Sequence, residues 1–449
     1  MIALLLFVAC DDIQVRLELD EAAILPVEGG EPVQFPDSAE PYGDSGGELG
    51  EDSGGALDDT ALPPVDTSEP LDEAILQFSW SARQPTRLRS VNDAVAGQLL
   101  WMDVTADANP DLIYLSCSSG GRLQELTIWP GSGSGLGPAA SRLVESCYLQ
   151  VIGGDFTGDG HPDLLASTGS AIHVLTGNGN GFDREEVLDQ GRDFSLLGAA
   201  DLTGDGAPEA IAGAAGETAA IRVYGANGQG VVTTIGAVEG GLGVTVPVGA
   251  APLMLAGAAH AVAILAESRP DIATTRVVEW DAGLRAPVLR ELDVVRNGGP
   301  GSQITAAYGE DLDGDGESEL VTTGATGLFV WNPVRSAVRE VRGGDPVQEV
   351  VTGLVSVDLE GDGARDALEV LVHAVDATHS ELHLQPSMAR QGALVLAEPV
   401  ITLMAPGGPG WLGGVVAGEI DDDACADAVV LDANLDPWLM LGLCRPAAP

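Results

Sequence analysis

From Leu71 onward the chain alternates in a fixed order between short apolar runs and short polar loops. An apolar run leads into an Asp-rich loop of nine residues, then come a second apolar run, a Gly/Asn turn and a third apolar run. Runs of this kind, bounded by Gly, Pro, Asn and Asp, predict β-strands joined as antiparallel hairpins. The Asp-rich loops mark the period: DVTADANPD (103–111), DFTGDGHPD (155–163), DLTGDGAPE (201–209), DLDGDGESE (311–319), DLEGDGARD (358–366) and EIDDDACAD (419–427). Their starts are 52, 46, 110, 47 and 61 residues apart. The gap of 110 is two periods, so a repeat without its loop belongs between. VTVPVGAAPLMLAGAAHAVAIL (244–265) aligns with 199–224 and supplies it, with the loop reduced to a turn near Gly249 to Pro252. Seven units of roughly 45 to 60 residues, each with three or four short strands, are the pattern of propeller blades. The expected fold class is all-β, a seven-bladed β-propeller over residues 71–449. After Asp427 there is room for only two strands, near Ala428 to Leu431 and Trp438 to Leu443. The early run ILQFSWS (75–81) is expected to complete the last blade, closing the ring and leaving no sheet edge exposed.

The loops carry the candidate chemistry. A hard cation such as Ca2+ takes six to eight oxygen ligands. Oxygen side chains at loop positions 1, 3, 5 and 9, with the backbone carbonyl of position 7, wrap one ion if glycine at position 6 takes a positive φ. The second loop then offers Asp155, Thr157, Asp159 and Asp163 with the His161 carbonyl. The third offers Asp201, Thr203, Asp205 and Glu209 with the Ala207 carbonyl. The fourth (Asp311, Asp313, Asp315, Glu319, carbonyl of Glu317) and the fifth (Asp358, Glu360, Asp362, Asp366, carbonyl of Ala364) carry the most charge and are expected to bind most strongly. The first (Asp103, Thr105, Asp107, Asp111, carbonyl of Asn109) and the last (Glu419, Asp421, Asp423, Asp427, carbonyl of Cys425) have Ala108 and Ala424 in place of the glycine. An EF-hand needs Glu at position 12 and flanking helices, but position 12 is Ala166 in the second loop and Thr322 in the fourth, and strand-like runs follow.

These loops and their spacing resemble the FG-GAP/VCBS repeats of bacterial envelope proteins and of the integrin α-subunit propeller. The resemblance covers about Leu71 to Leu443. It implies loops between the first two strands of each blade, calcium in a structural role, and ligands held by inter-strand loops on the opposite or top face. Such repeats occur in adhesins and in some polysaccharide-active enzymes, so fold does not decide function.

Charge changes the picture next: 68 acidic residues face 20 basic ones, all arginine, for a formal net charge of -48. Phosphate binding needs clustered positive charge, so a nucleic-acid partner is excluded. Residues 11–70 are rich in Glu, Asp, Gly, Ser and Pro with Arg16 as the single basic residue, which predicts a disordered, self-repelling acidic linker. Ahead of it, MIALLLFVA precedes Cys10 and resembles the end of a bacterial lipoprotein signal peptide (residues 1–10), with Cys10 the lipidated residue. The expected location is a bacterial envelope membrane, periplasmic or cell-surface, held through the lipid alone. For an exported chain the four remaining cysteines favour two disulfides. The sequence neighbours Cys117 with Cys147 and Cys425 with Cys444 are the natural pairs among three possible connectivities.

Catalytic motifs are weak by comparison. HSELH (379–383) has its Glu misplaced for a zinc-protease motif, and LHLQP reads as a strand. The turns TGNGNG (176–181) and GANGQG (225–230) open no helix, as a nucleotide loop would. The expectation is an envelope-anchored, calcium-binding module for a protein or glycan ligand. The alternative is a carbohydrate-active enzyme resembling calcium-dependent polysaccharide lyases, with paired carboxylates at one mouth of the ring.

Overall fold

The computed structural model describes residues 78–80, 86–89 and 94–444, apart from short internal stretches of which 292–303 is the longest. Residues 1–77 lie outside the described residues, and with them the expected signal segment, the lipidation expected at Cys10 and the expected linker. Among the described residues every regular element is a β-strand. The strands form six four-stranded sheets, one five-stranded sheet and one two-stranded pair. This is a repeat β-propeller-like fold.

Within most sheets the strands follow chain order, as in Ala94–Met102, Asp111–Ser118, Gln124–Trp129 and Ala140–Val144. Each Asp-rich loop links the first strand to the second. The second strands are the most deeply placed: Asp163–Ser167, Glu319–Gly324 and Asp427–Leu431 are buried at every position. A strand covered on both faces leaves little room for charge, which is why these segments read LLA, LVTT and AVVL rather than as strictly alternating patterns. The outer strand Ala140–Val144 is exposed except at Val144.

The core is divided among the gaps between consecutive sheets. Ile113, Leu115, Leu126, Leu164 and Leu175 fill one such gap. Phe156, Leu165, Phe194, Ala212 and Tyr224 fill the next. Leu368, Val370, Leu382, Leu384, Ala428 and Val430 join the last two sheets. Leu112, Tyr114, Val429 and Leu431 then join the last sheet to the first. Across that junction the buried Tyr114 hydroxyl donates to the Leu435 carbonyl at 2.6 Å. The first strands describe the same cycle: each touches the first strand of the next sheet, and Val415–Gly418 touches Ala94–Met102.

Two expectations are corrected. The segment Gly249 to Pro252 is not a shrunken loop; it lies inside the strand Val246–Leu255, which pairs with Ala258–Arg269 from Val246↔Glu267 through Leu255↔Ala258. Proline and glycine there mimic a turn, but a register shift between Pro247 and Gly249 absorbs them as an irregularity in the ladder. The last four-stranded sheet, in turn, is completed by Thr86–Arg87 against Pro437–Met440, not by ILQFSWS. Phe78–Trp80, the described part of that run, pairs instead with Gly442–Cys444.

Candidate functional site

The Asp-rich loops share one backbone path. The position-1 carboxylate accepts the N–H groups that follow it: Gly158, Asp159 and Gly160 donate to Asp155 at 2.8, 3.0 and 2.8 Å. Gly204, Asp205 and Gly206 donate to Asp201, and Gly361, Asp362 and Gly363 to Asp358, in the same way. Asp311 takes Asp315 and Gly316, and Asp103 takes Asp107 and Ala108. The position-5 carboxylate then accepts the position-7 N–H of Asn109, His161, Ala207, Glu317 or Ala364 at 2.8 to 3.0 Å. This turn needs a positive φ at position 6, which Gly160, Gly206, Gly316 and Gly363 supply at 86 to 92°. Ala108 follows the same path at φ 71°, where a Cβ is disfavoured.

Position 9 has a role beyond that of a ligand. Asp111, Asp163, Asp366 and Asp427 are fully buried, and Glu209 and Glu319 nearly so. One oxygen of each accepts backbone N–H groups from the loop's start, as from Val104 and Thr105 to Asp111 or Leu359 to Asp366. The other oxygen of four of them ties in the third strand's end, through N–H donors on Gly131, Gly177, Ala389 and Gly442 at 2.7 to 2.8 Å. Glu319 takes the Asn332 amide at 2.6 Å instead. Burial pushes the carboxyls of Asp163, Glu209 and Glu319 above their usual range, and that of Asp366 up to about 6. Spacing alone did not reveal this anchor. A signal was present in the glycines that follow the third runs: a Cβ on Gly131 or Gly177 would sit 2.1 Å from the position-8 carbonyl of Pro110 or Pro162.

Position 3 separates the loops into three kinds. Where it is threonine, the hydroxyl is satisfied inside the loop: Thr203 donates to Glu209 at 3.0 Å, Thr105 to Asp111 at 3.4 Å and Thr157 to Asp155 at 3.5 Å. In the fourth loop it is Asp313, and ligand oxygens of Asp311, Asp313 and Asp315 all lie within 4.8 Å of one another. Among the described residues this is the only group of three acidic, His or Cys side chains so close. Hard carboxylate oxygens at this density fit a divalent cation such as calcium. In the fifth loop position 3 is Glu360, and Arg390, at the end of the strand His379–Arg390, places its guanidinium against Glu360 and 3.4 Å from Asp362. The fourth and fifth loops, expected alike to bind most strongly, thus differ: in the fifth, positions 3 and 5 face a cation of the chain. In the last loop Ile420 donates to Asp427 at 2.9 Å, and Asp423 lies outside the described residues.

Cys117 and Cys147 form a disulfide. Cys425 is also disulfide-bonded, and the side chain of Cys444 lies outside the described residues. HSELH runs along the strand His379–Arg390, where His383 Nε2 lies 3.1 Å from Glu381 and its ring stacks on His373.

Residues 155–212, spanning the second loop, the third loop and the strands between them, match the family model described as an FG-GAP-like repeat. No curated protein matches the sequence. Among solved structures, the chain is similar to an Agrocybe aegerita lectin that recognises non-reducing terminal N-acetylglucosamine (14% identity, TM-score 0.43, covering 78% of this chain and all of that one). It is also similar to the extracellular domain assigned to a one-component system of B. thetaiotaomicron (11% identity, TM-score 0.45, 80% of this chain and 40% of that one). A third is the S. cerevisiae core factor (10% identity, TM-score 0.44, 81% and 62%).

Proposed function

We propose that residues 71–449 form a closed seven-bladed β-propeller stabilised by calcium, displayed from a bacterial envelope membrane by a lipid on Cys10 and the acidic linker 11–70, and that it serves as a binding or adhesion module for a protein or glycan. The closed cycle of contacts between first strands and the FG-GAP-like repeat at 155–212 support the propeller. The observation that carries the calcium reading is the convergence of Asp311, Asp313 and Asp315 on one exposed loop. Three carboxylates so close repel one another, and a cation among them relieves that repulsion. The Glu317 carbonyl and Glu319 complete the oxygen set in this reading, with Glu319 serving chiefly as the buried anchor. A rigid ring of sheets holds inter-strand loops in fixed positions, which suits recognition more than chemistry.

The test is a pair of thermal melts of the full chain, in about millimolar calcium and in chelator. Calcium is expected to raise the midpoint by several degrees, and terbium luminescence should report the occupied sites. A midpoint insensitive to calcium would overturn the metal reading and leave the loops as acidic turns.

A further inference from the structure

The first and last Asp-rich loops depart from the calcium pattern by carrying alanine at position 6, and the two come together at one place. A pocket of about 280 Å³ lies between them, on the loop face where the first sheet meets the last. Trp101, Asn109, Ser132 and Glu419 line it, with Ala108 at its wall. Two features are particular to it. Trp101 reaches it because residue 418 is glycine: a Cβ there would lie 2.2 Å from the indole Nε1. Ala108 holds a left-handed backbone that glycine would take without strain, so a methyl group is kept on the pocket wall at an energetic disadvantage. Gly131 approaches the Pro110 carbonyl as Gly177 approaches Pro162 in the second loop, and the exposed Ser132 follows it at the pocket.

We infer that this pocket binds the terminal neutral sugar of a glycan, an inference that rests on reading the chain as a binding module. A sugar ring is an apolar C–H face edged with hydroxyls. The pocket answers with an indole, an amide, a hydroxyl and a carboxylate within one small concavity, the mixture of apolar wall and few polar groups that small-ligand sites use. Its volume is just below the range of about 300 to 1,000 Å³ of sites for drug-sized ligands, which suits one or two sugar rings. Glu419 in the pocket and the formal net charge of -48 oppose a uronate or any other anionic sugar. The site lies on the face that carries the calcium loops, not the face that the family resemblance implies for ligands.

The experiment uses the calcium-loaded full chain against immobilised neutral mono- and disaccharides, a polyuronate and an arginine-rich peptide, with the melting midpoint recorded for every variant. Neutral saccharide binding is expected, weakened at least about tenfold by Ser132→Tyr, which plugs the mouth from an exposed position, and by Asn109→Ala, with unchanged midpoints. Trp101→Ala should abolish binding, and its midpoint will show whether the fold is retained; the two exposed-side variants decide the matter regardless. Saccharide binding that survives Ser132→Tyr and Asn109→Ala would overturn the pocket while leaving the module reading intact. Calcium-dependent melting without any saccharide binding would do the same, and so would binding of only the polyuronate or the peptide.

Discussion

Arg390 offers the sharpest test of how the loops are neutralised. Its side chain is 14% exposed, that of Glu360 9%, and the guanidinium spans Glu360 and Asp362. Burial pushes the Glu360 carboxyl up to about 7 even though Arg390 pulls in the other direction, with Asp362 adding to the rise. Arg390→Met keeps most of the stem and removes the charge. Deleting one partner of a buried pair costs about 3 to 5 kcal/mol, and the residual exposure of this pair places the variant near about 3 kcal/mol in chelator. For a folded unit of this size, at about 2 °C per kcal/mol, the midpoint should fall by about 6 °C.

Calcium should then behave differently in the two proteins. In the variant Asp358, Glu360 and Asp362 lose the Arg390 charge and become an oxygen site. With a dissociation constant of about 10⁻⁴ M and calcium at about 1 mM, such a site contributes about 1.4 kcal/mol, so calcium should restore roughly half of the loss. Differential scanning calorimetry in chelator and in calcium, with Arg390→Lys as the charge-retaining control, measures each arm. An Arg390→Met protein that melts like the parent in chelator, and gains no additional response to calcium, would refute the claim that Arg390 stands where a metal otherwise would.

Asp315→Ala should remove most of the calcium-induced rise in midpoint, whereas Asp107→Ala, in a loop whose threonine is satisfied internally, should remove little; the reverse ranking in paired melts would contradict the assignment of the fourth loop. Glu360 and Asp366 have folded-state pKa values raised to about 7 and about 6, so the folded chain holds protons that the unfolded chain has released between roughly pH 4 and 7. Their contribution is complete below the unfolded values and lost as pH rises through 6 to 7, so the midpoint in chelator should be higher near pH 5 than near pH 7.5; a midpoint climbing across that window would count against it. Cys10→Ala should move the protein from the membrane fraction to the soluble fraction of cells, and unchanged fractionation would place the anchor elsewhere.

The parts of this fold that were legible in the sequence are those whose cause is local. The nine-residue loops are specified within themselves: a carboxylate at position 1 collects the next N–H groups, and position 6, glycine in four loops and Ala108 in the first, supplies the turn, so spacing alone located five loops that the structure forms alike. The second strands were legible because burial on both faces leaves little room for charge. What escaped has its cause at a distance. Thr86–Arg87 carries no pattern in two residues, and its place at the sheet edge comes from the register it shares with Trp438 and Leu439. The position-9 acids read as ligands from their spacing, and their further role in tethering strands shows only in their burial and in the N–H donors from the third strand. Arg390 lies 28 residues beyond Asp362, and no spacing rule joins a strand end to a loop. Yet the three kinds of loop follow a single electrostatic condition. With carboxylates fixed at positions 1, 5 and 9, threonine at position 3 leaves a loop that hydrogen bonds can satisfy, whereas a further carboxylate requires a cation. The fifth loop draws a cation from its own sheet, and the fourth gathers three carboxylates within 4.8 Å, so calcium dependence should follow the residue at position 3 and the basic side chains within its reach, not the count of Asp-rich loops.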